Sequence, residues 1–176
     1  METLHELVID QLKELYSAET QLKILIEKMA YQTANEGLRH RFEKASKDMD
    51  LQTTSLDHLF SLFGVQKGQE RFAHIMEAIG TELQSFIDLA PGSEVRDAAF
   101  IAIFQKARHY QIAMYGTLKQ YAVELRNAKA EKVLEELLAA KKEDDREFSQ
   151  TARQGINRRA MAPDAEHEAP AGVSEH

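Results

Sequence analysis

Apolar residues recur along this chain in steps of three and four, the period of an amphipathic α-helix. The first run is Val8, Leu12, Leu15, then Leu22, Ile26 and Met29. The second is Leu38, Phe42, Ala45, Met49, then Leu56, Leu59 and Phe63. A third carries Ile101, Phe104, then Tyr115, Leu118, Ala122 and Leu125, and a fourth Leu134, Leu138, then Phe148 and Ala152. Thr3 can cap a first helix running to about Ala30, and Asn35 can cap a second that ends at Phe63 before Gly64. A shorter helix is predicted over roughly Glu70 to Leu89, stopped by Ala90-Pro91-Gly92-Ser93. Ser93 then caps a long helix to about Arg126, and the last runs from about Ala128 to near Arg158.

This pattern predicts an all-α fold. Two long hairpins joined by some thirty residues that themselves carry a helix describe a four-helix bundle with one crossover. An up-down-up-down bundle needs no connection of that length. The bundle is expected over 1–160. Residues 161–176 are small, polar and proline-containing, and read as a disordered tail.

Composition narrows the function. The 176 residues are 43% hydrophobic and 29% charged, ordinary for one globular domain. No run of 18 apolar residues exists, so no membrane span is expected. The N-terminus lacks the basic and apolar regions of a signal peptide, which makes the cytoplasm the expected location. There is no cysteine to form a disulfide or a thiolate metal site. A net charge of -7 argues against binding a phosphate backbone, so nucleic acid is not an expected partner.

Each apolar stripe breaks in the middle, and the breaks are polar. The gap is Glu19 on the first helix, and Gln52 with Asp48 one turn earlier on the second. On the third it holds Arg108 and Gln111, and on the fourth Lys141 and Asp145. Measured from the turns near residues 33 and 127, these positions share one depth, so they predict a polar layer across the bundle. Polar groups in a core are costly unless paired. Taken singly, Asp48, Gln52 or Lys141 can equally sit at the seam edge, with the lysine stem buried and its ammonium in water.

Three stretches carry a family resemblance: Glu14-Leu-Tyr-Ser-Ala-Glu19-Thr-Gln-Leu, Glu94-Val-Arg-Asp-Ala-Ala99 and His109-Tyr-Gln-Ile-Ala-Met-Tyr-Gly-Thr-Leu118. Over residues 3 to 155 the chain resembles the YciE/YciF family of ferritin-like stress proteins. The resemblance implies a ferritin-like bundle with an extra helix in the crossover, a homodimer, and an association with stress in which no enzymatic reaction is established. It also implies a central two-metal site with carboxylates from all four bundle helices, and here this chain departs. Glu19 is retained, but the second-helix glutamate is Asp48. The third-helix Glu-His-Tyr-Glu reads Arg108-His109-Tyr110-Gln111. A fourth-helix glutamate is Lys141, with Asp145 kept.

Glu19, Asp48 and Asp145 against Arg108 and Lys141 leave a net charge of -1, too little for two divalent ions that need oxygen or imidazole ligands. The expectation is therefore a non-catalytic protein with no cofactor, its metal site replaced by a salt-bridge network. The alternative is a single-metal protein or oxidase, with iron or another divalent metal on Glu19, Asp48, Gln52, Gln111 and Asp145. A third reading has Arg108 and Lys141 hold an anion inside the bundle.

Other signals are weaker. No two histidines stand at ligand spacing on one helix, and His40 with Glu43 is an isolated pair. Tyr16, Tyr110 and Tyr115 at helical spacing read as core. No phosphate loop, serine elbow or cysteine nucleophile is present.

Overall fold

The computed structural model describes residues 1–68, 71–89 and 94–161. Its helices are α1 (Leu4–Gln32), α2 (Glu36–Leu62), α3 (His74–Leu89), α4 (Glu94–Glu124) and α5 (Ala128–Thr151). A π-helical turn, Ala152–Ile156, and a last short helix α6 (Asn157–Arg159) extend α5. There is no strand among the described residues.

Local chemistry sets the helix ends. Thr3 and Glu6 form a reciprocal capping box at α1. Asn35 accepts the Leu38 amide at α2, and Asn127 accepts the Ala130 amide at α5. Gly64 follows α2 at φ 73°, a left-handed conformation that favours glycine. The proposed Ser93 cap and all but Met161 of the proposed tail at 161–176 lie outside the described residues.

Two boundaries differ from expectation. The crossover helix starts at His74, not near Glu70, because Arg71 is drawn to Asp10 and Glu14 on α1 and the chain reaches α1 before it coils. The last bundle helix is not continuous to Arg158. Its core residues Phe148, Ala152 and Ile156 step by four, which overshoots a turn of about 3.6 residues. The wide π turn absorbs the excess and keeps Ile156 buried, and the backbone leaves helical geometry at Gly155.

The short α1–α2 and α4–α5 connections make two antiparallel hairpins. These pack face to face, α1 beside α4 and α2 beside α5. The chain from α2 to α4 returns along the bundle through α3, which lies in the groove between α1 and α4. Met76, Ile79 and Leu83 are the buried stripe of α3. The result is a four-helix bundle with an extra helix in its single crossover.

The core is in two parts. One apolar cluster, at the α1–α2 turn end, includes Leu22, Ile26, Phe42, Phe100, Phe104 and Phe148. The other, at the opposite end, includes Val8, Leu12, Leu15, Leu56, Phe60, Leu118 and Leu134.

Candidate functional site

Between the clusters lies a layer of buried polar side chains drawn from all four bundle helices. Its centre is Lys141 of α5, whose side chain is 1% exposed. The Lys141 Nζ donates to Glu19 Oε2 of α1 at 3.0 Å and to Gln52 Oε1 of α2 at 2.6 Å. The second oxygen of Glu19 accepts the Tyr115 hydroxyl of α4 at 2.8 Å. Beside this group, Arg108 Nη1 donates to Gln111 Oε1 at 2.6 Å and Nη2 to Asp144 Oδ2 at 2.5 Å. The Arg108 guanidinium also stands 4.7 Å from the Phe104 ring centroid, a cation–π contact that covers its face.

Burial shifts three ionisable groups of the layer. It pushes Lys141 down to about 8, opposed by the attraction of Glu19 and assisted by repulsion from Arg108. It pushes the Tyr115 hydroxyl well above its usual range, and the Glu19 charge adds to that rise. It raises the Asp144 carboxyl, against the pull of Arg108 and Lys141. Arg108 Nε and Gln111 Nε2 are buried donors with no hydrogen-bond partner among the described residues.

Of the seven positions read from the stripes, the structure brings together Glu19, Gln52, Arg108, Gln111 and Lys141. Asp48 and Asp145 do not join them. Asp48 precedes the buried Met49, so it points about 100° away on the helix wheel. There it pairs with Lys44 at 3.1 Å on the outer face. Asp145 turns toward the α4 flank, where its Oδ1 accepts from Gln105 Nε2 at 3.3 Å and lies 3.3 Å from the exposed His109. The carboxylate that reaches the layer from α5 is Asp144. A signal for it was present: Leu137 is buried, and Asp144 follows two turns later on the same line of the helix.

Counting only groups in the layer, Glu19 and Asp144 balance Arg108 and Lys141, and the net charge is zero. That differs from the -1 obtained with Asp48 and Asp145. The donor set does not suit a metal. Two cations face the two carboxylates, and the unpaired atoms are hydrogen-bond donors, not acceptors. Among the described residues no group of three or more His, Asp or Glu side chains is gathered as a metal cluster. A cleft of about 180 Å³ opens to the layer between α2 and α5, lined by Arg108, Gln52, Asp144, Asp48 and Lys44.

A second buried charged group escaped the reading of the stripes. Asp97, fully buried, accepts the Ala34 amide at 3.0 Å and the Asn35 amide at 2.8 Å. Its neighbour Arg96 donates from Nη2 to the Gln32 carbonyl at 2.7 Å. The Val-Arg-Asp-Ala-Ala stretch thus clamps the α1–α2 turn to the start of α4.

A bundle of this topology, with a helix in the crossover and a mid-plane polar layer, belongs to the ferritin-like class of helical proteins. The chain is a member of the family described as a domain of unknown function, DUF892, which matches residues 3–161. It is 34% identical to protein YciF of Escherichia coli K12 over 160 residues, 91% of this chain and 96% of that protein. The crystal structure of that E. coli stress protein superposes with a TM-score of 0.84, covering 90% of this chain and 99% of the other. YcfI of Rhodopseudomonas palustris, described as a candidate structural protein, matches with a TM-score of 0.79 at 27% identity, covering 85% and 94%. No helix among the described residues is long and apolar enough to cross a membrane.

Proposed function

We propose that this protein is a non-catalytic, cytoplasmic, ferritin-like protein of stress or structural character. In this reading two side-chain cations stand where the family resemblance implies metals. The observation that carries it is the Lys141 ammonium, buried between Glu19 and Gln52 at 3.0 and 2.6 Å. A divalent ion at that point would face a fixed charge of its own sign, with Arg108 a second one alongside. Conversely, the two carboxylates would be uncompensated without these cations, and an isolated charge in a core is not tolerated.

The single-metal alternative needs Glu19, Asp48, Gln52, Gln111 and Asp145 around one ion. It is the weaker reading, since Asp48 and Asp145 occupy opposite flanks of the layer. An anion held by Arg108 and Lys141 is weaker still, because Asp144 and Glu19 already hold both.

The test is to put carboxylates back. The triple variant Arg108→Glu, Gln111→Glu, Lys141→Glu should lose apo-protein stability through like-charge repulsion and regain it when Mn²⁺ is added, since a ligand of the folded form stabilises by mass action. The melting temperature of the unmodified protein should not respond to Mn²⁺. A clear rise for the unmodified protein would contradict the reading.

A further inference from the structure

The cleft between α2 and α5 reaches a side chain of a third helix. Its walls come from α2 and α5, and Arg108 of α4, only 1% exposed, closes its inner end. Two of the guanidinium nitrogens of Arg108 are in use, Nη1 by Gln111 and Nη2 by Asp144. The third, Nε, is a buried donor without a partner among the described residues. A buried donor left unpaired carries the full cost of its lost hydration. Nε shares one edge of the planar guanidinium with Nη2, so an acceptor on Nε lies beside the Asp144 carboxylate. That carboxylate has lone pairs beyond the one that Nη2 takes, and Asp144 lines the same cleft.

We infer that the cleft is a binding site for a small uncharged molecule with an acceptor next to a donor, the chemistry shared by polyols and primary amides. The acceptor takes the Arg108 Nε–H, and the donor goes to Asp144. Charge selects against other occupants. The lining sets Asp48, Glu143, Asp144 and Glu147 against Lys44 and Arg108, so a small anion meets a net negative wall. A cation would have to approach the Arg108 guanidinium at the inner end. Asp48, Glu143 and Glu147 are already paired with Lys44, Arg146 and Arg41, and a neutral molecule leaves those pairs intact. Ala45, Met49 and Ala140 offer apolar contact for its carbon atoms. The volume of about 180 Å³ is close to the roughly 150 Å³ of a cavity that takes benzene, which sets the size near that of glycerol. The inference rests on the metal-free reading of the layer, which keeps Arg108 in place.

The experiment titrates glycerol, and separately acetamide, into the ¹⁵N-labelled full chain while the Arg108 Nε–H resonance is followed. Arg108→Lys keeps the charge but lacks that group, and so identifies the resonance. The expected result is a saturable shift in the millimolar range, lost in Ala140→Leu. Position 140 is exposed, so the larger side chain narrows the mouth of the cleft without entering the layer. A response to one probe alone supports the site and fixes which class it takes. No shift with either probe overturns the inference, as does a shift that persists in Ala140→Leu or never saturates. Tighter binding of acetate or methylammonium overturns the uncharged ligand. Failure of the underlying reading is separately visible: a melting temperature of the unmodified protein that rises with Mn²⁺ removes both, whereas a protein indifferent to Mn²⁺ and to both probes removes only this inference.

Discussion

The turn end of the bundle and its mid-plane both bury charged side chains, but the charges face different partners. At the turn, Asp97 and Arg96 bond to backbone atoms of residues 32 to 35. At the mid-plane, Lys141, Glu19, Arg108 and Asp144 bond to one another and to amide side chains. A charge directed at backbone stabilises a particular chain path, since those amides and carbonyls need partners whatever side chains surround them. Charges directed at each other have no such anchor. Each removes the penalty that the other creates, and the pair as a whole can be dispensable. The two places therefore teach how to separate a buried charge that shapes the fold from one that occupies a site.

The comparison is broken or sharpened most strongly by removing one cation. Lys141→Met leaves Glu19 buried and uncompensated, with an expected cost of about 3–5 kcal/mol in urea unfolding. Adding Glu19→Leu should recover most of that loss, because it removes the second charge. A double variant as unstable as the single would mean that the pair stabilises the fold in its own right.

Next in size is the pH response. Folded Lys141 releases its proton near pH 8, while the unfolded lysine keeps it to about 10.5. Between those values unfolding takes up a proton, so this group's contribution to stability rises with pH, by about 3 kcal/mol across the window. Stability of the unmodified protein relative to the Glu19→Leu/Lys141→Met variant should climb from pH 8 to 10.5. A flat difference would place the ammonium in water.

The clamp should behave in the opposite way to the layer. Asp97→Ala should cost about 2 kcal/mol, as two backbone donors lose a charged acceptor. Adding Arg96→Leu should recover nothing, because the amides of Ala34 and Asn35 remain. Smallest of all are Asp48→Ala and Asp145→Ala, each within about 0.5 kcal/mol, as expected for partly exposed carboxylates outside the layer. A large loss at either position would return it to the layer.

The period of Leu, Ile, Met and Phe was enough to place the helices and the crossover, because each stripe had to face one core. It was also enough to expose the mid-length breaks at Glu19, Gln52, Arg108, Gln111 and Lys141. Resolving Asp144 from Asp145 was harder. Both lie within about 60° of the stripe centre, and the choice depends on whether α4 or α2 packs on that side. The Asp97 clamp was hidden for another reason. A carboxylate in a first helical turn usually answers to the helix dipole, and only tertiary packing brings the α1–α2 turn to it. The π turn was not legible, because the four-residue steps of Phe148, Ala152 and Ile156 also occur in ordinary helices.

The most direct test of a layer neutralised by its own side chains is the metal content of the purified full-length protein. Elemental analysis for iron, manganese and zinc, before and after dialysis against excess metal, should be paired with anomalous scattering at the mid-plane of a crystal. The account predicts metal far below one atom per chain, with the Lys141 ammonium within hydrogen-bond distance of Glu19. One atom per chain with Glu19 among its ligands would contradict it.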